Sequence, residues 1–402
     1  MKDRSLISVL RLVDDYPEAG KASFGLQPVF SNLSHEQKRL GYDVIVIARR
    51  HGNQSENEVD DGVSVHRIGN PFTPNALRVV RTLTASCETP IVHTHATTGF
   101  FLAPLRKTIR APIVSHVHGT TRSHNMPVAL RFGRIVYDYS PLKIAYYQSR
   151  EKLLWSIANR IVTVSEAIKS DLVSSYAINE KKIAVVYNGV DTNTFRPIFD
   201  ARLPEKFKIL EGKRIVLYVG HFGLRKGLLH LIKAMEKVVQ EVPDAALLCI
   251  GGVPKWLGAT DYWTYLHATI RESNLEGKVV LADRIPNIEL PNYYSLASVF
   301  VLPSYYEAFG KVVVEAMACE RPVVVSRKGG LEEVVEDGKS GLMFNYGQID
   351  ELSNAIVKLL QDVKLARMMG ANGRRRAEQD FTWSAVARRI GLVYRKILYQ
   401  DY

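Results

Sequence analysis

The stretch Val299-Phe-Val-Leu-Pro303-Ser-Tyr-Tyr-Glu307-Ala-Phe-Gly310-Lys-Val-Val-Val-Glu315-Ala-Met-Ala318 holds a whole structural unit. Its first four residues, β-branched, aromatic or aliphatic, read as a strand buried on both faces, as parallel strands are in α/β proteins. Pro303 and Gly310 bound a loop, and residues 311–318 continue as a helix. A helix that starts just after such a loop offers unpaired backbone N–H groups, its dipole reinforces them, and that end attracts a phosphate. Glu315 sits about one turn into the helix, between Val312–Val314 and Ala316–Ala318. A carboxylate so flanked is partly buried and needs partners; ribose hydroxyls are the partners that acidic residues take in dinucleotide folds. Glu307, in the loop, is placed to accept from a second polyhydroxyl group.

Outward from this unit the same alternation repeats. Strand-like runs at 6–13, 43–48, 91–94, 112–116, 160–164 and 183–187 precede it, with a helix at 29–40 ending at Gly41, a suitable residue for a left-handed helix terminus. After the turn dipeptide Asn188-Gly189, residues 192–212 carry Pro197 and Pro204 with weak periodicity, as an inter-domain linker does. The pattern then restarts, with strands at 214–219, 245–250, 279–281, 299–302, 322–325 and 341–344 and helices at 228–241, 261–273, 289–296, 311–318, 331–336 and 350–360. The expected fold class is α/β, two Rossmann-like doubly wound domains facing a central cleft where strand C-termini meet.

Composition agrees with such a protein. At roughly 150 residues per domain, a chain of 402 residues makes two or three domains, and 46% hydrophobic with 23% charged residues fits neither disorder nor a membrane span. No run of about 18 apolar residues occurs. The apolar segment 6–13 is too short, and too soon interrupted by Asp14 and Asp15, for a signal peptide. Cys87, Cys249 and Cys319 are too scattered for a disulfide framework or a metal motif, so a cytoplasmic location is expected. The formal net charge of +12 asks for an anionic partner.

A second phosphate candidate is Val219-Gly220-His221-Phe-Gly223-Leu-Arg225-Lys226-Gly227, again between a strand and a helix. Its glycines let backbone approach a ligand closely, and Arg225 and Lys226 supply charge for a diphosphate. It matches neither the dinucleotide fingerprint nor the P-loop, and no Gly-x-Gly-x-x-Gly follows the first strand, which disfavours a dinucleotide oxidoreductase.

As a set, these segments resemble the retaining nucleotide-sugar glycosyltransferases of the two-Rossmann-domain (GT-B) type, the group 1 family (family 4-like). The resemblance rests on Glu307 and Glu315 at the spacing of the family's paired glutamates, Gly220-His221…Lys226-Gly227, Asn188-Gly189-Val190-Asp191…Phe195, Gly329-Gly330…Glu333, and Asp380-Phe-Thr-Trp383…Tyr394. It covers nearly the whole chain and implies an N-terminal acceptor-side domain over 1–195, a nucleotide-sugar domain over 196–384, and a C-terminal helix, 385–402, crossing back to the first domain. It further implies that Glu315 holds the donor ribose and that Glu307 lies near the transferred hexose. Lys226, with the Phe309, Gly310 and Lys311 backbone, would neutralise the diphosphate, and His118 would lie beside the donor hexose. Glu307, Lys226 and His118 are thus the expected catalytic residues; Gly20, His221 and Arg225 join the donor set.

The implied reaction is a hexose transfer that retains anomeric configuration, from a nucleoside-diphosphate sugar to a hydroxyl acceptor in cell-surface glycan or glycolipid synthesis. It needs no cofactor beyond the donor as co-substrate and no metal, because a leaving diphosphate can be stabilised by fixed charges and no Asp-x-Asp motif lies in a suitable loop. His221 stands where the family usually has arginine, and Ala19-Gly20 where it commonly has two glycines. A soluble disaccharide synthase or phosphorylase of the same fold, and a non-catalytic nucleotide-sugar-binding subunit, are the alternatives.

Eight of the twelve net positive charges fall between Arg106 and Arg160, where ten Lys or Arg face two acids. Phe132, Tyr137, Tyr139, Tyr146, Tyr147 and Trp155 are interleaved with them. A basic surface carrying aromatics suits anionic lipid headgroups or a lipid-phosphate acceptor. Arg131, Arg134, Lys143 and Arg150 are accordingly the expected acceptor or membrane face. No nucleic-acid-binding module accompanies them.

Overall fold

The computed structural model describes residues 6–19, 25–69, 74–121, 127–131, 134–137, 140–253 and 259–399. Strands run in chain order as β1 (Ile7–Leu12), β2 (Asp43–Arg49), β3 (Asn57–Asp60), β4 (Val63–Ile68), β5 (Thr89–His95), β6 (Ile113–Val117), β7 (Pro127–Arg131), β8 (Arg134–Tyr137), β9 (Arg160–Thr163), β10 (Ile183–Val185), β11 (Arg214–Val219), β12 (Ala245–Gly251), β13 (Val279–Asp283), β14 (Val299–Leu302), β15 (Val323–Ser326) and β16 (Gly341–Phe344). The helices are α1 (Gln27–Arg39), α2 (Pro74–Ser86), α3 (Pro141–Ile157), α4 (Glu166–Tyr176), α5 (Leu228–Glu241), α6 (Ala259–Glu272), α7 (Leu290–Leu296), α8 (Lys311–Ala318), α9 (Leu331–Val334), α10 (Ile349–Gln361), α11 (Val363–Asp380) and α12 (Trp383–Tyr399).

The chain divides into two compact units. Unit 1 comprises Met1–His124, Pro141–Gly189 and Trp383–Tyr402; unit 2 comprises Asn125–Ser140 and Val190–Thr382. The unit 2 sheet has the order β13-β12-β11-β14-β15-β16 and is parallel throughout. The unit 1 sheet has the order β10-β9-β6-β5-β1-β2-β4-β3, with only the β3–β4 pair antiparallel. In both sheets strand order reverses beside the first strand: β1 neighbours β5 in unit 1, and β11 neighbours β14 in unit 2. Loops leaving the carboxyl ends of such a pair diverge to opposite faces and open a crevice, which is where doubly wound sheets take ligands.

Strands β3 and β4 have no counterpart in the sequence reading. Val63-Ser-Val-His-Arg-Ile68 alternates buried and half-buried residues, the period-2 signature of a strand near a sheet edge, whereas continuous apolar runs mark only the central strands. The β7–β8 hairpin interrupts the unit 1 sequence but belongs to unit 2, so the basic stretch expected in the first domain is shared between units. Helix α12 docks in unit 1: Trp383, Val386, Ala387, Ile390, Val393 and Tyr394 join a core with Val9, Val44, Ile91 and Val162. A Cβ at Gly189 would lie 2.5 Å from the Trp383 ring. That close approach ties the end of the middle segment of unit 1 to the start of α12; the chain passes between units at 124–125, 140–141, 189–190 and 382–383.

Candidate active site

In unit 2 the loops after β11 and β14, the two strands at the order reversal, are joined side chain to side chain. The first loop ends in a 3-10 turn, Leu224–Lys226, and in Gly227, which caps α5 in the left-handed region at φ 69°. A Cβ on Gly227 would fall 1.9 Å from the Pro303 carbonyl oxygen, so only glycine lets the loops approach this closely. Tyr305 N–H donates to the Arg225 carbonyl at 2.7 Å. Lys226 Nζ then reaches Glu307 Oε1 as a hydrogen-bonded ion pair, and Ser304 Oγ donates to the same oxygen at 2.9 Å. Ser326, at the end of β15, donates to the Ser304 carbonyl. Behind the loop, Gly330 N–H donates to the Glu307 carbonyl at 2.8 Å, and the Gly329-Gly330 turn packs so tightly that Cβ atoms there would meet the Glu307 and Ala308 carbonyl oxygens at 2.4 and 2.3 Å.

Burial opposes ionisation of Glu307, but the nearby charges of Lys226 and Arg225 outweigh it and hold the carboxyl below its ordinary range. Burial also pulls Lys226 down, against the attraction of Glu307. Glu307 is therefore a carboxylate at neutral pH, with Lys226 as its closest partner. Glu315 is 4% exposed; burial raises its pKa, with partial compensation from Lys311 and Tyr294. Its two oxygens are separately engaged, Oε2 accepting from Tyr294 at 3.0 Å and Oε1 lying 3.7 Å from Lys311 Nζ. Gly310 caps α8 at φ 91°, and the Phe309 ring is buried edge-on against Phe381. His221 is held down to about 4, by loss of solvation and by the charges of Lys226, Arg225 and Arg284. It is neutral at pH 7, so Arg225 carries the second positive charge of the loop. Ser304, Ser326 and Tyr294 are additions to the expected set. Ser304 was visible three residues before Glu307; Ser326 and Tyr294 come from other elements and left no local signal.

Unit 1 holds a contrasting site at its own reversal. Arg11 on β1 pairs in register with His93 on β5, and His95 with His116 on β6. The rings of His93, His95, His116 and His118 stack, with successive centroids 4.6 to 5.3 Å apart for His93–His95 and His95–His118 and interplanar angles of 11° and 8°. Arg11, His93, His95 and His116 are at most 1% exposed. Burial first, and the neighbouring Arg11 charge with it, push every one of these imidazoles far below its ordinary value, His118 to about 3. Donor nitrogens of His93, His95 and His116 lie within 4.8 Å of one another, a spacing compatible with a cation. Imidazole lone pairs lie in the ring plane, however, and near-parallel stacked planes do not converge on one point; Arg11 beside them adds repulsion. As arranged, the cluster does not fit a metal. His118 was expected from sequence; Arg11, His93 and His95 were not. Their signal was the repeated His93-Thr-His95 and His116-Val-His118, spaced by two as on one face of a strand.

Of the remaining expected residues, Gly20 lies outside the described residues, and Arg131 and Arg134 belong to β7 and β8, of which only the backbone is described. Lys143 is exposed on α3. Arg150, on the same helix, lies over the Phe100 ring at 4.0 Å and near Tyr146 and Tyr147. Leu142, Tyr146 and Leu153 give α3 an apolar exposed component. A separate groove of about 850 Å³ in unit 1 is lined by Arg78, Arg81, Lys107 and Arg110 with Thr82, Thr84 and Thr108. Arg78 and Arg81 precede the 106–160 stretch and join it only through the fold. No helix among the described residues is long and apolar enough to cross a membrane.

Two doubly wound sheets, each reversing its order beside the first strand, define the GT-B class of fold. Sucrose-phosphate synthase from Thermosynechococcus elongatus superposes with a TM-score of 0.78 over 99% of this chain and 100% of that one, at 25% identity. The chain belongs to the glycosyltransferases: residues 25–194 match the Glycosyltransferase Family 4 model and residues 200–376 the model for glycosyl transferases group 1. The putative glycosyltransferase YtcC of Bacillus subtilis is 31% identical over 272 residues, 65% of each chain. Mannosylfructose-phosphate synthase of Agrobacterium fabrum is 27% identical over 96% of this chain and 89% of its own. The chain spans about 65% of the length of the first curated relatives it matches.

Proposed function

We propose that this protein transfers a hexose from a nucleoside-diphosphate sugar to a hydroxyl acceptor, with retention of configuration and without a metal or other cofactor. The observation that carries the reading is the buried Lys226–Glu307 pair at the β11/β14 reversal. A fixed ammonium and Arg225, on the loop joined to the one that leads into α8, supply positive potential for a diphosphate, so that charge developing on the leaving group is stabilised without reorganisation. Glu307 orients Lys226 and offers its free carboxylate capacity to the hexose hydroxyls, while Glu315 holds the ribose. The C1–O bond to the β-phosphate breaks with oxocarbenium character. The acceptor hydroxyl attacks C1 from the same face, and its proton passes to the departing β-phosphate oxygen. His118 contributes beside the hexose.

Two acceptors are compatible with the charge distribution. A glycan or lipid-linked acceptor, with peripheral contact to an anionic membrane, draws on the basic and apolar surface of α3. A soluble phosphorylated sugar is favoured by the names of two relatives, mannosylfructose-phosphate synthase and sucrose-phosphate synthase. The intact pair weighs against a non-catalytic subunit.

The test is nucleoside-diphosphate release from UDP-, GDP- and ADP-sugars, with EDTA present, against sugar phosphates and lipid-linked acceptors in turn. Release with one donor, and a product whose anomeric NMR coupling matches that of the donor sugar, is expected. Inversion, or restoration of activity only by a divalent metal, contradicts the proposed chemistry.

A further inference from the structure

The unit 1 cluster contains a directional chain of hydrogen bonds. Arg11 Nη1 lies 3.2 Å from His95 Nε2, and His95 Nδ1 lies 2.9 Å from His118 Nε2. A guanidinium has donors and no acceptor. His95 Nε2 must therefore accept, which places the His95 proton on Nδ1. That N–H can only donate to His118 Nε2, and the His118 proton is left on Nδ1. The guanidinium itself is anchored from two helices. Arg11 Nη2 donates to Gln37 Oε1 on α1, Gln37 Nε2 donates to the Tyr394 hydroxyl of α12 at 3.3 Å, and that hydroxyl is hydrogen-bonded to His93 Nδ1. From Arg11 to His118, and from Arg11 through Gln37 to Tyr394, each link has one allowed direction.

We propose that Arg11 and His95 are positioning residues that hold His118 as the Nδ1–H tautomer, so that His118 presents a hydrogen-bond donor to an oxygen of the bound substrate and does not act there as a base. His118 Nδ1 is buried and has no hydrogen-bond partner among the described residues. A buried N–H without a partner is costly to maintain, and a ligand oxygen supplies one. The substrate in this statement rests on the glycosyl-transfer reading; the tautomer does not.

The experiment is a long-range ¹H–¹⁵N correlation spectrum of the full chain labelled with ¹⁵N-histidine at neutral pH, with His118 assigned by difference from His118→Gln. The wild type is expected to show His118 protonated at Nδ1 and bare at Nε2. Arg11→Met, which cannot donate, is expected to lose that pattern and to lower kcat for nucleotide release roughly tenfold with donor KM within about twofold, while Arg11→Lys, also donor-only, retains the pattern. A wild-type His118 protonated at Nε2 overturns the proposal even if the variants do not fold. An Arg11→Met protein with the wild-type His118 pattern and kcat overturns the role of Arg11. A wild type with the expected tautomer but no turnover of any donor refutes the glycosyl-transfer reading and leaves the relay standing.

Discussion

At the β11/β14 reversal of unit 2 two buried carboxyl groups each lie against a lysine, Glu307 on Lys226 and Glu315 beside Lys311; at the β1/β5 reversal of unit 1 the buried groups are stacked neutral imidazoles under a single guanidinium. The same topology thus supports two solutions to placing polar groups in a dry interior. A buried ion pair gains little net stability once desolvation is counted, but it leaves a fixed field available for an anion. Neutral imidazoles avoid most of the desolvation cost and offer directional donors and acceptors instead. One crevice is suited to holding charge and the other to orienting uncharged hydroxyls.

The largest expected effect follows from breaking the charged half. Lys226→Ala should lower kcat for nucleotide release about 10²- to 10³-fold, the loss typical of one electrostatic stabiliser. It also strands Glu307, which is only 9% exposed, so a fall in Tm accompanies it. A variant with near wild-type turnover would show that the pair is structural only.

Acidification separates the halves by stability. An imidazole whose folded pKa is depressed takes up its proton in the unfolded state first, so stability is lost as pH falls below the ordinary histidine value. With a folded value of about 3, His118 alone should contribute about 2 kcal/mol of destabilisation at pH 5, and the other stacked rings add in the same direction. Glu307, lowered from its ordinary value, keeps its contribution above that ordinary value and loses it only as pH falls through the folded one. Hydrogen exchange compared at pH 7 and pH 5 should therefore show β1, β5 and β6 opening before β11 and β14. Simultaneous opening of both sheets would contradict the assignment of neutral rings to unit 1.

The smallest effects are expected around Glu315, the proposed ribose ligand. Glu315→Gln should raise donor KM about tenfold, and Tyr294→Phe about fivefold, since each removes a hydrogen bond worth roughly 1 kcal/mol or a little more. Steady-state KM for nucleotide release checks both; a larger effect from Tyr294→Phe than from Glu315→Gln would reverse the assigned roles.

The difference between the halves also explains what could be read from sequence. Glu307, Glu315 and Gly310 lie on one strand–loop–helix unit, so local pattern revealed them together. The partnership of Lys226 with Glu307 spans 81 residues and was not read from the sequence, which placed each loop after a strand of a doubly wound sheet but gave no sign that the two side chains meet. Ser326 and Tyr294 were not legible either, because their roles exist only once β15 and α7 pack beside the loop. In unit 1, Arg11 stands inside the apolar run 6–13, where burial of a guanidinium depends on Gln37 and His95 arriving from α1 and β5. The β7–β8 hairpin lies between unit 1 segments in sequence and joins unit 2 in space, an assignment that no composition or periodicity encodes.

Calorimetric titration of the wild-type chain and of Lys226→Met with UDP, GDP and ADP tests the central claim most directly. The account predicts that one diphosphate binds the wild type and that its Kd rises at least tenfold in the variant, the loss expected for a hydrogen bond to a charged group. An unchanged Kd in a folded Lys226→Met protein would contradict it.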